Sequence, residues 1–322
     1  MAERLAAATT VAAPVPGQTA ARAADAVARR PPRSLASDAW RQFRRHRPAM
    51  AGLVTLGLLL VATALGPLVY RAAPDAIDYS AGLLGPSPAH PFGTDDLGRD
   101  LLARALLGGR VSMAVGVVAM VIAITLGTLV GAVSGFFGGT ADTLLMRLTD
   151  LFLSLPALPL LLLTVFLFRD PLRQAFGPEV GIFLLIVFII GALNWMALAR
   201  LVRASFLSLK QKEFVEAARC LGAGRRRIMV RHILPNSVGP IIVAATVGVG
   251  SAIITESALS FLGLGFPPDV PTWGRLLYDA QNFLDIAPHW AIFPGVLIFV
   301  TVLSINYIGD GLRDALDPRR SP

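Results

Sequence analysis

The chain alternates long apolar runs with short polar connections, and the lengths of the runs decide its class. An α-helix needs roughly 20 apolar residues to cross the hydrocarbon core of a bilayer. Six segments meet that need, at about 49–70, 111–137, 144–168, 180–199, 237–255 and 290–309. The second lies in an uncharged stretch, Val111 to Ala141, that is longer than one crossing requires. The third carries Arg147 and Asp150 near its start and Pro156 and Pro159 inside it, which predicts one kinked helix. The predicted fold class is an all-α membrane protein with six transmembrane helices, its membrane domain covering residues 49–312.

Polar segments flank this domain. Residues 1–36 are rich in Ala, Arg and Pro without an apolar period, and read as a disordered tail. They hold no uninterrupted apolar core of the kind a cleaved secretory signal has. Residues 37–48 differ: Trp40 and Phe43 lie three apart among Arg41, Arg44, Arg45 and Arg47. That pattern predicts an amphipathic helix in the headgroup layer, with membrane lipid as its partner. Residues 313–322 read as a C-terminal tail.

Composition agrees with the apolar runs. Charged residues make up 16% and hydrophobic residues 54% of the 322, where a soluble domain has about 25% charged. The net charge of +8 comes from residues that flank apolar spans. It is explained by anionic lipid and membrane orientation, not by nucleic acid, since no base-stacking aromatics interleave with the arginines. Nine Lys or Arg precede the first span, nine lie between Arg200 and Arg231, and Arg313, Arg319 and Arg320 follow the sixth. The connections 71–110, 169–179 and 263–288 hold seven Lys or Arg against ten Asp or Glu. The positive-inside rule therefore predicts both termini in the cytoplasm.

The sequence offers no catalytic chemistry. The phosphate-cradling pattern G-x-x-x-x-G-K-[ST] needs Lys after Gly, and the lysines, Lys210 and Lys212, do not follow glycine. His46, His90, His232 and His289 are scattered, and Cys220 is the single cysteine, so no metal set and no internal disulfide is expected. No G-x-S-x-G elbow occurs. Glu256 is expected to close the fifth span and Asp150 to open the third, which leaves few charges for a proton- or sodium-driven carrier. An ion-selective filter and an inverted repeat are likewise not evident.

Two patterns leave alternatives open. Gly127, Gly131 and Gly135 are spaced by four, as where helix backbones approach closely, within one subunit or against a partner. Asp95, Asp96, Arg99 and Asp100 read either as a contact surface for another protein or as solvated charges capping the second span.

The most distinctive stretch is a polar, basic island at Glu213 to Pro235. Phe214, Ala217, Ala218 and Leu221 recur at helical steps and predict an apolar stripe. Glu213 and Glu216 sit near the helix start, where acids are favoured. Gly222 follows the stripe as a helix C-cap does. The expected form is a helix, a Gly-Ala-Gly turn and a second helix beginning near Arg225 to Arg227, projecting from the bilayer. Small residues at Ala217, Ala218, Gly222, Ala223 and Gly224 leave backbone open for docking. The competing reading makes the island a positive-inside loop whose arginines only set topology.

Glu216-Ala217-Ala218, three residues, Gly222, and then Leu234-Pro235 resemble the EAA loop of ABC importer permeases. His232 stands where the wider family often has Ile, and His232 to Asn236, HILPN, resembles the peptide-type members. Phe92 to Met113, Asp142 to Pro156, Glu256 to Pro267 and Ile305 to Arg319 are similar to segments of the dipeptide, oligopeptide and nickel permeases of the DppC/OppC type. The resemblance covers about residues 40–319. It implies a type I ABC importer permease in the bacterial plasma (inner) membrane, acting on dipeptides or oligopeptides, with nickel or glutathione as alternative cargo. It implies a homologous second permease, two cytoplasmic ATPase subunits that bind ATP and Mg, and an extracytoplasmic solute-binding protein. The coupling loop would be 205–235, with Glu213, Glu216, Ala217, Ala218, Arg219, Gly222, Ala223 and Gly224 at the ATPase contact. A stand-alone secondary carrier is the competing class.

Overall fold

A chain in lipid must satisfy its backbone hydrogen bonds within its own segments, and a helix does so. The computed structural model describes residues 35–316; the rest of the expected tails, 1–34 and 317–322, lies outside the described residues. The helices are α1 (Leu35–Arg45), α2 (Arg47–Val69), α3 (Leu101–Phe137), α4 (Gly139–Ser154) and α5 (Ala157–Phe176). They continue with α6 (Pro178–Leu209), α7 (Glu213–Cys220), α8 (Arg225–Phe261), α9 (Trp273–Ala280) and α10 (His289–Leu316). Among the described residues the only β pairing is one isolated bridge, Thr94 to Asp100.

Helices α2, α3, α6, α8 and α10 are each long and apolar enough to cross a membrane. The expected third span is divided. Instead of one kinked helix over 144–168, α4 and α5 meet at 87°. Pro156 explains the break: it offers no N–H to the preceding turn and its ring forces Leu155 out of helical conformation. Leu155 is extended, with φ −77° and ψ 137°. Pro159 falls in the first turn of α5, where a missing N–H costs nothing. Counting the bent pair as one crossing gives six.

The glycine stripe on α3 packs within the subunit. A Cβ on Gly127 would lie 2.8 Å from Leu198 Cβ, and one on Gly135 2.7 Å from Phe206 Cβ. One on Gly131 would strike the Ala199 carbonyl and Val202 Cβ. The stripe is therefore the groove that receives α6. A buried cluster extends from this pair to α5 and α8 through Val115, Ala119, Leu161, Val165, Ile186, Ile190 and Ala252. Helix α2 is peripheral and leaves Val54, Leu58, Val61 and Leu65 exposed, as a lipid-facing helix should. Pro67 inside α2 frees the Thr63 carbonyl, and Arg110 of α3 donates to it from Nε at 2.6 Å. Arg110 thus replaces the hydrogen bond that proline removes.

The bundle has two distinct ends. At one end Phe43 of α1 seats against Gly311 of α10, Gln42 donates to the Asp314 carbonyl, and Leu316 touches Gly239 near the start of α8. The island emerges at this end. At the other end, connection 71–100, connection 262–272 and α9 fold together over α3. Leu101, Ala105, Leu276, Ala280 and Trp290 form the core there.

Candidate functional site

Helix α7 is only eight residues long and rests on the bundle by two side chains. Val215 and Ala218 are buried; Val215 joins Phe136 of α3, Val202 and Phe206 of α6, and Ile228 and Ile233 of α8. The expected apolar stripe is therefore out of phase. Ala218 points inward, while Phe214, Ala217 and Leu221 face outward, Leu221 at 88% exposure. The stripe is real, but it is the face α7 turns away from its own subunit. Val215 holds the helix down, and its single buried branched side chain gave no period to detect.

The remaining candidate residues surround that outward face. Glu213 and Glu216 occupy the first turn of α7 and are exposed, as are Arg219 and Cys220. Their carboxylates complement the unsatisfied N–H groups of the helix start. The C-terminus closes as a Schellman motif. Ala223 N donates to the Ala218 carbonyl at 3.0 Å, and Gly222 N to the Arg219 carbonyl at 2.9 Å. Gly222 takes φ 78°, the left-handed conformation this motif needs. No neighbour lies within 4 Å of a Cβ built on Gly222 or Gly224, while Ala223 between them is half-buried and packs on the Val215 cluster. The chain re-enters through Arg225–Arg227 and a wide π turn, Ile228–Ile233, that precedes Pro235. Lys210 ties the base of the island to the end of α3, its Nζ donating to the Phe136 carbonyl at 2.5 Å.

At the opposite end the expected group of charges is only partly solvated. Asp95 and Asp100 are buried, and only Asp96 of the acidic group is exposed. Asp100 caps α3, accepting from Ala103 N at 2.8 Å, so its capping role stands. It also accepts from the Tyr70 hydroxyl at 2.6 Å and lies 2.8 Å from His90 Nδ1. Burial and then the Asp100 carboxylate push the Tyr70 hydroxyl above its ordinary range. Asp95 pairs with Arg99 Nε at 2.6 Å. Arg104, fully buried in the first turn of α3, lies 3.9 Å from Asp95, 3.9 Å from Asp279 and 3.6 Å from Asp75. Burial holds the Asp279 carboxyl above the usual range despite Arg275 at 2.7 Å. Glu256 does not close its span: α8 continues to Phe261, and Glu256 is wholly buried, accepting from Ser260 Oγ at 2.8 Å and Ser112 Oγ at 3.1 Å. Ser112 Oγ in turn accepts from Trp273 N at 3.2 Å, which fastens α9 to α3 and α8.

Comparison with known proteins agrees with this architecture. Residues 123–322 match the family described as binding-protein-dependent transport system inner membrane component. Residues 34–86 match the N-terminal TM domain of oligopeptide transport permease C. The chain is 41% identical over 289 residues to the oligopeptide transport system permease protein OppC of Haemophilus influenzae, covering 89% of each. It is 40% identical to the glutathione transport system permease protein GsiD of Pectobacterium atrosepticum, over 87% of this chain and 90% of that one. It is 39% identical to the dipeptide transport system permease protein DppC of Alkalihalophilus pseudofirmus, over 88% and 89%. An inward-facing structure of the MetNI methionine ABC transporter superposes with a TM-score of 0.54 at 19% identity, over 67% of this chain and 96% of that one. The chain belongs to the family of binding-protein-dependent transport system inner membrane components. It is a multi-pass membrane permease subunit of the ABC importer class, with the type I importer fold.

Proposed function

We propose that this permease subunit carries dipeptides or oligopeptides into the cell and receives the force for doing so through α7. The observation that carries the reading is the outward face of α7. Val215 anchors the helix to three neighbours, while Glu216, Ala217 and Leu221 are presented outward beside the Gly222 turn. An apolar stripe exposed among polar groups outside the spans marks an interaction surface. Its partner in this reading is a cytoplasmic ATPase subunit, two of which bind ATP and Mg for the assembly, since the chain has no phosphate-cradling loop of its own. A homologous second permease completes the pathway, and an extracytoplasmic binding protein delivers cargo at the end built from 71–100 and α9.

Orientation follows from charge. The helix α1, the island and the end of α10 share one end of the bundle, and the positive-inside rule makes that end cytoplasmic. ATP binding favours one arrangement of the ATPases, and its differential affinity shifts the permease between inward- and outward-facing states. Peptide cargo is favoured by relatives that carry peptide names, and glutathione, itself a tripeptide, falls within the same chemistry.

The test is co-reconstitution in liposomes with the partner permease, ATPases and binding protein, followed by ATP-dependent peptide uptake. Glu216→Lys reverses a charge on the docking face, and Gly222→Asp puts a charged side chain on the left-handed turn. Each is expected to abolish uptake by the inserted protein. Full uptake with either substitution would overturn the coupling reading.

A further inference from the structure

Helix α4 is poorly anchored for an element inside a bundle. Of its 16 residues only Thr149 is buried, while Leu144, Leu148 and Leu151 face outward. Burial of apolar side chains is what usually fixes a helix to its neighbours, and here that contribution is small. Phe152 packs on Trp195, Met196 and Ala199 of α6 near the elbow, and the rest of the fastening of α4 to α6 is charge. Asp142 accepts from Arg203 Nε and Nη2, both at 2.6 Å, and from Ser134 Oγ of α3. This fork is the bidentate geometry that gives an arginine–carboxylate pair its strength and direction. About two turns further along α4, Asp150 pairs with Arg200 Nη2 at 2.5 Å. Arg200 and Arg203 are three apart, so they share one face of α6.

The ends of α4 are built to turn. It is joined to α3 through Gly138 and Gly139, both left-handed at φ 68° and 57°, with no atom within 4 Å of a Cβ on either. Its other end is the extended Leu155 and the 87° elbow into α5. Beyond the elbow, Leu161 and Val165 of α5 pack on Ile182, Ile186 and Ile189 of α6. On the α6 side, Arg203 sits where the backbone is locked into the α3 groove, its carbonyl 2.8 Å from a Cβ on Gly135. From there α6 runs to Leu209, and only Lys210, Gln211 and Lys212 separate it from α7.

We propose that Asp142 and Asp150 are positioning residues that harness α4 to α6, so that displacement of the α7 loop is carried to the Leu155–Pro156 elbow. The inference rests on the coupling reading of α7. In it α4 is a lever with a two-glycine joint at one end, an elbow at the other and two ion pairs along its length. Bending of the 200–209 end of α6 relative to its 182–189 stretch, where α5 packs, pulls α4 through the two ion pairs, and the elbow changes angle while α5 stays packed. Cutting the harness leaves the ATPases docked and hydrolysing but the pathway unmoved.

The experiment measures uptake and ATP hydrolysis in the same liposomes containing the full transporter, and compares their ratio. Asp142→Asn and Arg203→Gln are each expected to lower uptake per ATP by about five- to tenfold, the scale of common coupling energies. The exchange Asp142→Arg with Arg203→Asp is expected to recover part of the ratio; a merely structural role would instead lower uptake and hydrolysis together and leave the ratio unmoved in the single variants. Asp150→Asn, at an exposed position where folding is not at stake, is expected to shift the ratio in the same direction by less. An unchanged ratio in all variants overturns the proposal. So does a parallel loss of uptake and hydrolysis that the exchange fails to restore. Failure of the underlying reading has a different signature: full uptake by Glu216→Lys.

Discussion

Arg104 shows what one side chain can organise. It is fully buried, and the carboxylates of Asp75 and Asp95 approach it from connection 71–100 and that of Asp279 from α9. Its Nη2 also donates to the Pro268 carbonyl at 3.3 Å. Removing Arg104 leaves the buried Asp95 and the largely buried Asp279 with one arginine each, Arg99 and Arg275, so the loss is expected below the about 3–5 kcal/mol of a fully unpaired buried charge. Arg104→Leu is therefore expected to lower the thermal transition in detergent markedly, with the loss concentrated in the end formed by 71–100 and α9. A melting curve with hydrogen exchange of those segments checks this, and an unaltered transition would contradict it. The sequence marked Asp95, Asp96, Arg99 and Asp100 as a group but did not reveal that Asp95 and Asp100 are buried. Charge patterns carry no distance, and Arg104 finds Asp279 across connections that no local period links. At α7 the legible part was the Schellman glycine, because Gly222 is bound by a local backbone requirement. The phase of its apolar stripe was not legible, since an inward and an outward face have the same spacing.

At the scale of elements, helices were legible where length and hydropathy act alone. The five long helices each contain an expected span, and α3 and α8, at 37 residues each, overrun it. An α-helix of that length measures about 55 Å, nearly twice the hydrocarbon core, so both project beyond it. The elbow was not legible, because proline in a membrane helix often produces only a kink. What made it a break is Pro156 following Leu155 at the end of the weakly buried α4, where little packing opposes the turn. Pro156→Ala returns an N–H and frees Leu155 to become helical. The distance between spin labels at Leu148 and Phe166, both exposed, is then expected to lengthen as α4 and α5 straighten. An unchanged distance would mean that tertiary contacts, not the proline, set the 87° angle. The pairing of Asp142 with Arg203 was also out of reach, because 61 positions separate the two residues and no local period links them.

At the scale of the molecule, the two ends have different physics. One end is sealed by buried charges and hydroxyls, including Glu256, Ser112 and the Arg104 cluster. The other is open, basic and projecting, with α7 held by Val215 over three helices. The basic segments that the charge pattern assigned to one side do share one end of the bundle where the structure describes them. The central claim is that the exposed face of α7 is where an ATPase subunit engages. Cys220 gives a direct test, because it is the single cysteine of the chain and lies exposed on α7. A thiol-directed photocrosslinker on Cys220, activated in the assembled transporter, should join this chain to an ATPase subunit, with the yield falling for Gly222→Asp. ATP-driven uptake at full rate with no ATPase adduct at Cys220 would contradict the claim.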